Sequence, residues 1–207
     1  YTVRNPFETA VSNPIGVLEL GTNTNRSTKL LGTAFGEYEF IKNLKLKVLL
    51  GVDYNNVRQN SYVPSTVYEG ASVKGHASIG DREVDSWLNE NTLTYNTTLN
   101  KVHNLDFLLG FTQQKTTSDI VRSGASEFLS DDLTYHSLQS GAVTDTPYSN
   151  TVSNALLSYL GRVNYNFDQR HYISLSLRRD GSSRFGKDRK WGTFPSVGYS
   201  WNIAKES

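Results

Sequence analysis

Leu157-Ser158-Tyr159-Leu160-Gly161-Arg162-Val163-Asn164-Tyr165-Asn166-Phe167 changes character at every residue. Leu157, Tyr159, Gly161, Val163, Tyr165 and Phe167 form one set, and Ser158, Leu160, Arg162, Asn164 and Asn166 the other. Successive side chains of a strand point to opposite faces, so a period of two over this length specifies a strand with two chemically different faces. Asp168-Gln169-Arg170 follows as a short polar turn, and then Ile173, Leu175 and Leu177 alternate with Ser174, Ser176 and Arg178. The unit is a hairpin, and it repeats along the chain.

Leu44, Leu46, Val48, Leu50, Val52 and Tyr54 alternate with residues that include Lys45, Lys47, Gly51 and Asp53. Leu105 to Phe111 and Val197 to Ile203 show the same pattern, and Leu30 to Phe40 and Trp87 to Tyr95 show it more weakly. About seven strands are expected, with no convincing amphipathic helix. The connections alternate too. Ile41-Lys42-Asn43, Thr97 to Val102 and Asp168 to Arg170 are short, whereas Arg58 to Val84, Thr116 to Asn154 and Gly181 to Thr193 are long. Short turns at one rim and long loops at the other are the layout of an outer-membrane barrel.

The aromatics fit that layout. Tyr38, Phe40, Tyr95, Tyr165, Phe167 and Trp201 lie near the short turns, and Tyr54, Trp87, Phe111 and Tyr159 near the long loops. Two aromatic bands separated by Leu, Val, Ala and Gly match the girdles that flank a lipid-facing belt. Lys45, Lys47, Asp106, Arg162, Asn164, Asn166 and Arg178 would then face a wet lumen or a plug. The expected fold is all-β: an antiparallel meander of about seven strands, forming an arc of a large transmembrane β-barrel. A soluble all-β carbohydrate-binding or adhesin module, with its aromatics inside a two-sheet core, is the alternative.

Composition sets further bounds. The 207 residues are 37 % hydrophobic even with Tyr counted, which is lean for a soluble core. Without Cys there is no disulfide, Cys-ligated zinc or thiol nucleophile. A net charge of +1 is no footprint for nucleic acid. No apolar run reaches the ~18–20 residues of a membrane helix, which leaves a barrel open. The chain starts at Tyr1 and contains no Met, so it reads as a piece of something longer.

Arg178-Arg179-Asp180-Gly181-Ser182-Ser183-Arg184-Phe185-Gly186-Lys187 leaves one strand, and Lys190-Trp191-Gly192-Thr193-Phe194-Pro195-Ser196 enters the next. With Leu156 to Tyr165, Trp87 to Tyr95, Ser130-Asp131-Asp132-Leu133 and Asn5-Pro6, these stretches resemble the SusC-like family of TonB-dependent outer-membrane transporters. The motif at Arg179, Asp180, Gly181, Ser182, Ser183, Arg184, Phe185 and Gly186 is highly specific to that family. The resemblance implies a wall segment from a plugged barrel of roughly 22 strands, with residues 1–207 a partial barrel domain that lacks the plug and the remaining strands. It also implies a place in the cell outer membrane, among its lipids, and import of oligosaccharides or peptides. A SusD-like surface lipoprotein would act as lid and the TonB complex, engaged through a region outside this chain, would supply energy. It implies no cofactor and no catalysis.

Other chemistries fit the same residues less well. Gly181 to Asp188 nearly spells the phosphate-binding G-x-x-x-x-G-K-[ST], but Asp188 replaces the hydroxyl and a strand follows where a helix N-terminus is required. The preferred reading is structural: Asp180, Ser182, Ser183 and Arg184 bond within the loop base, and Gly181 and Gly186 supply unusual backbone angles. His76, His103, His136 and His171 have no metal spacing and read as surface or turn residues. Asp131-Asp132 reads as a turn capped by Ser130 rather than a calcium site or acid/base pair. Lys187-Asp188-Arg189-Lys190 reads as a solvated loop. A glycosidase would need two carboxylates ~5–10 Å apart across a cleft, and none is nominated. The loop aromatics Tyr62, Tyr68, Tyr135 and Tyr148 are the candidates for contacts with ligand or lid.

Overall fold

The computed structural model describes residues 13–206. Helix α1 (Pro14–Leu20) is started by Asn13, whose side chain accepts from the Ile15 N–H at 3.1 Å, with Pro at the first turn. Then come β1 (Thr22–Ile41), β2 (Leu44–Val63), the one-turn helix α2 (Tyr68–Ala71), β3 (His76–Leu99) and β4 (His103–Ser126). Two 3-10 turns at Thr134–His136 and Leu138–Ser140 precede β5 (Val143–Thr144), β6 (Tyr148–Phe167), β7 (His171–Ser182) and β8 (Trp191–Trp201). One antiparallel sheet runs in the order β1-β2-β3-β4-β6-β7-β8, with the two-residue β5 paired to β4. No second sheet forms among the described residues, so the packing that a two-sheet soluble module needs is missing.

The strands stand where the alternation puts them, but they are longer. β2 continues through Arg58 to Val63, β4 through Thr116 to Ser126, and β6 starts at Tyr148. The expected loops shrink to residues 64–75, 127–147 and 183–190. The added stretches are largely polar and place their apolar residues, Tyr62, Ala77 and Ala125 among them, without a sustained period of two, which hides the strand without preventing pairing. Polar side chains couple across them: Asn56 to Asp81 at 2.7 Å, Ser61 to Ser78 at 2.8 Å, Ser27 to Asn55 at 3.2 Å. Helices α1 and α2 and strand β5 are too short for periodicity to reveal.

The short turns are tight. Asn100 and Lys101, and Asp168 and Gln169, take left-handed backbone angles (φ 50° and 66°, 47° and 56°). Consecutive left-handed residues match the twist of paired strands in a hairpin. The register of β6 with β7 runs from Leu156 opposite Ser182 to Phe167 opposite His171, and that of β7 with β8 from His171 opposite Trp201 to Gly181 opposite Trp191.

The described chain forms two compact units. The first takes residues up to Lys29, Tyr54–Val84 and Ser118–Val152; the second takes Leu30–Asp53, Asp85–Thr117 and the residues from Ser153 on. The first has a small apolar core of Tyr62, Ala77, Ala125 and Phe128, with Tyr135 and Leu138 against it. In the second, the alternating apolar set stays uncovered: Leu109 is 61 % exposed and Val197 76 %.

Candidate functional site

In the second unit, the apolar face carries the aromatic band expected beside the short turns. Tyr38 meets Phe40 edge-on at 5.0 Å, and Tyr95 stacks on Phe107 at 6.3 Å. His103 belongs to the same band: it bonds the Tyr165 hydroxyl at 2.6 Å and packs on Phe167 at 5.1 Å. His171 lies between Phe167 and Trp201 and bonds the Tyr199 hydroxyl at 3.0 Å. These two are therefore not turn histidines. The signal was available, because His103 and His171 continue the parity of Leu105-Phe107 and Ile173-Leu175. Toward the long connections, Phe111 packs on Tyr159 at 5.5 Å and Tyr159 on Trp191 at 6.0 Å.

The opposite face is built for hydrogen bonding. Ser174 donates to Asn164 directly across the β6–β7 pair at 2.8 Å, Ser86 meets Thr116 at 3.0 Å, and Thr98 donates to Asn104 at 2.8 Å. Lys45 pairs with Glu37 at 3.4 Å, and Lys47 covers the Phe35 ring at 4.8 Å. A hollow of about 510 Å³ opens near the short turns, with Asn104, Asp106, Asn164, Asn166, Tyr172 and Ser200 around it. Amides and hydroxyls in such a hollow suit a neutral polar ligand or another polar chain. On the apolar face, a groove of about 550 Å³ lies over Gly161, bordered by Phe107, Leu109, Val163, Leu175 and Val197.

The motif near residue 180 closes the loop between β7 and β8. Arg178 reaches both carboxylate oxygens of Asp180, at 2.8 and 2.9 Å. Ser182 N–H donates to Lys190 O and Ser183 N–H to Ala155 O, both at 2.9 Å, and Ala155 N–H donates to Ser183 Oγ at 2.8 Å. Arg184 N–H donates to Ser182 Oγ at 3.3 Å, and Phe185 N–H to Ser182 O at 3.4 Å. Arg179 lies over the Trp191 ring at 5.0 Å. The expected role of the glycines needs correcting: neither Gly181 nor Gly186 has a positive φ. At Gly181 the reason is space, since a Cβ would meet the Trp191 ring at 2.9 Å; at Gly186 nothing lies within 4 Å.

In the first unit, residues 64–75 and 127–147 are clasped together. Asp131 accepts from the Tyr62 hydroxyl at 2.6 Å, from the Ser65 N–H at 3.0 Å and from the Ser65 hydroxyl at 2.8 Å. Burial pushes the Asp131 carboxyl up, but these three donors more than cancel it and hold it below the usual carboxylate range. Burial, and then Asp131 itself, push the Tyr62 hydroxyl well above the ordinary tyrosine value. Gly75 fits beneath at φ 84°, where a Cβ would be 2.8 Å from the Tyr62 hydroxyl. Glu127 N–H donates to Val73 O at 2.8 Å and Phe128 N–H to Lys74 O at 3.0 Å, while His76 meets Asp145 at 2.9 Å.

The loop tyrosines separate by environment. Tyr62 lies inside β2, is 1 % exposed, and packs edge-on against Phe128 at 5.7 Å, so it has no face to offer a ligand. Tyr68 starts α2 and Tyr148 starts β6, both exposed; Tyr135 is partly buried and meets the His136 ring at a tilt, 4.3 Å between centroids. Asp132 N–H donates to Ser130 Oγ at 3.2 Å, as the capped turn requires. Sequence reasoning missed the part played by Asp131, which depends on partners 66 and 69 residues away. Among the described residues, no three His, Asp or Glu side chains converge as metal ligands would. Asn5-Pro6 lies outside the described residues.

No family model matches the sequence. The chain is 34 % identical over 207 residues to TonB-dependent receptor P3 of Formosa agariphila, covering 100 % of this chain and 20 % of that receptor. It is 28 % identical over 203 residues to TonB-dependent receptor SusC of Bacteroides thetaiotaomicron, covering 94 % of this chain and 19 % of that protein. It superposes on a chain of the RagAB peptide transporter with a TM-score of 0.90 at 27 % identity, covering 99 % of this chain and 23 % of that one. The chain thus spans about a fifth of the length of the curated relatives it matches.

Proposed function

Because the chain belongs to the SusC-like family of TonB-dependent receptors, we propose that it serves as barrel wall in an outer-membrane importer of oligosaccharides or peptides. Residues 1–207 are, on this reading, a partial barrel domain, with plug and remaining strands elsewhere in the receptor. The observation that carries it is a single sheet with one face of bonded amides and hydroxyls and one exposed apolar face edged by aromatics. Lipid covers the apolar face, and the polar face lines the path of substrate or meets the plug. The likeness of its fold to the RagAB peptide transporter supports the peptide class, and the oligosaccharide class rests on the resemblance carried by the sequence motifs.

The segment does no covalent chemistry. It offers hydrogen-bonding groups inside and loops outside, while the TonB complex supplies the work and a SusD-like lipoprotein closes the lid. The β7–β8 motif keeps its loop in register, a structural role. Tyr68, Tyr135 and Tyr148 are the proposed contacts with ligand or lid, with Tyr62 in the small core against which Tyr135 packs. The test is a receptor deletion strain complemented with the full-length gene and grown on oligosaccharides or on peptides as the limiting nutrient. Receptor-dependent uptake that stops when the proton gradient is collapsed is expected; uptake indifferent to receptor and gradient overturns the reading. Replacing Tyr68, Tyr135 and Tyr148 together with Ala is expected to lower uptake or lid association, and no change in either removes those contacts.

A further inference from the structure

Every short connection of the sheet carries one cation. Lys42 lies between β1 and β2, Lys101 between β3 and β4, Arg170 between β6 and β7, and Lys205 in the 3-10 turn after β8. Backbone bonds tie these connections laterally. Asn96 N–H donates to Asn43 O at 3.2 Å, Asp168 N–H to Val102 O at 2.7 Å, and Asn202 N–H to Arg170 O at 2.7 Å. The cations therefore form a row along one rim, next to the aromatic and histidine band of the apolar face.

The acids of this rim have partners. Asp168 pairs with Arg170 at 3.1 Å, Glu206 accepts from the Trp201 indole at 3.3 Å and lies 3.8 Å from His171, while Glu39 accepts from the neutral Asn43 N–H at 2.7 Å. Arg170 is thus the rim cation already matched by an acid, and the lysines carry the surplus charge. Lys205 donates to the Gln169 amide oxygen, a neutral partner. Lys42 and Lys101 are exposed and meet no acid among the described residues. Lys101 also sits at φ 66°, where an L side chain costs energy that Gly or Asn would lower, and no side-chain bond accounts for a lysine there. The turn itself does not ask for this lysine. Its long stem could instead carry the charge sideways to an anion at headgroup depth.

We propose that Lys42, Lys101, Arg170 and Lys205 form a collar that binds the phosphates of anionic phospholipids in the leaflet bordering the short turns. The connections that carry them are one hairpin apart, about two strand spacings or ~10 Å, a spacing that suits a row of separate anions. A row of separate anions at the depth of a Tyr/Trp/His band is what a bilayer surface presents. The collar rests on the membrane reading above and adds to it a lipid preference.

The test uses the full-length receptor reconstituted in nanodiscs of phosphatidylcholine with and without phosphatidylglycerol, followed by native mass spectrometry of retained lipid. The wild type is expected to retain phosphatidylglycerol in preference to phosphatidylcholine. The double variant Lys42→Gln/Lys101→Gly is expected to lower that preference at least about tenfold, with heat-modifiable mobility in gels unchanged. Gly fits the backbone at residue 101, so lost lipid is not lost fold. Lys45→Gln, on the polar face, should leave retention as it was. Equal retention of the two lipids by the wild type, or undiminished preference in the double variant, overturns the collar alone. A receptor that enters neither bilayer overturns the membrane reading and the collar with it.

Discussion

The two units differ in what their hydrophobic side chains touch. The unit containing Tyr54–Val84 and Ser118–Val152 buries Tyr62, Val67, Ala77, Ala125 and Phe128. The unit containing Leu30–Asp53 and Asp85–Thr117 buries no hydrophobic side chain among the described residues, yet it holds most of the alternating Leu, Val and Phe. One is a small core of the kind water enforces. The other leaves its apolar side chains uncovered among the described residues, as a face turned to an apolar medium would. The same strands thus answer to two media, and each has its own stabilising forces.

Three substitutions in the full-length receptor separate those forces. The largest loss is expected from Phe128→Ala, which empties the side of the core against Tyr62 and costs about 3–5 kcal/mol. It should appear as protease nicking within residues 127–147 while the barrel keeps its heat-modifiable mobility; loss of the whole barrel instead would erase the distinction between the units. Leu109→Arg comes next. An exposed Leu in a water-soluble protein accepts Arg with little change, whereas at mid-height on a lipid face it costs about 2–4 kcal/mol. Reduced receptor level in the outer membrane is expected, and normal assembly would put water on that face.

The smallest effect belongs to Asp131→Asn, about 1–3 kcal/mol confined to the clasp. The pH response follows from the shifts. The Asp131 acidity is strengthened by folding, so its contribution is complete above the ordinary carboxylate value and fades as pH falls below about 4. The Tyr62 hydroxyl is held neutral, so its contribution is complete below about pH 10 and fades above it. Protease resistance of residues 127–147 should therefore be level between those limits. A transition near neutral pH would remove Asp131 and Tyr62 as the source of the clasp's pH response.

Much of this was legible beforehand. Leu44 to Tyr54, Leu105 to Phe111 and Leu157 to Phe167 announce strands because one face meets a different medium from the other. Where that difference ends, so does the signal: Asn56, Ser61, Ser78 and Asp119 lie in parts of β2, β3 and β4 where the alternation has stopped. The loop-closing role of Ser182, Ser183 and Arg184 was readable, but the reason for Gly181 was not, since it depends on Trp191 lying opposite it in the β7–β8 register. Tyr62 illustrates the limit most clearly. Its sequence neighbours are polar, so it read as an exposed loop aromatic, and only its meeting with Phe128 and Asp131 buries it.

The sequence by itself determined the strands, the two faces, the short and long ends and the likeness to TonB-dependent receptors. Alternation, turn length and a contiguous motif are local, and local patterns survive in one dimension. Only the tertiary structure decided that residues 64–75 and 127–147 are locked by Asp131, that His103 and His171 complete an aromatic band, and that four turn cations stand in one row. Each of these joins residues far apart in the chain, through register and backbone bonding that no single stretch encodes.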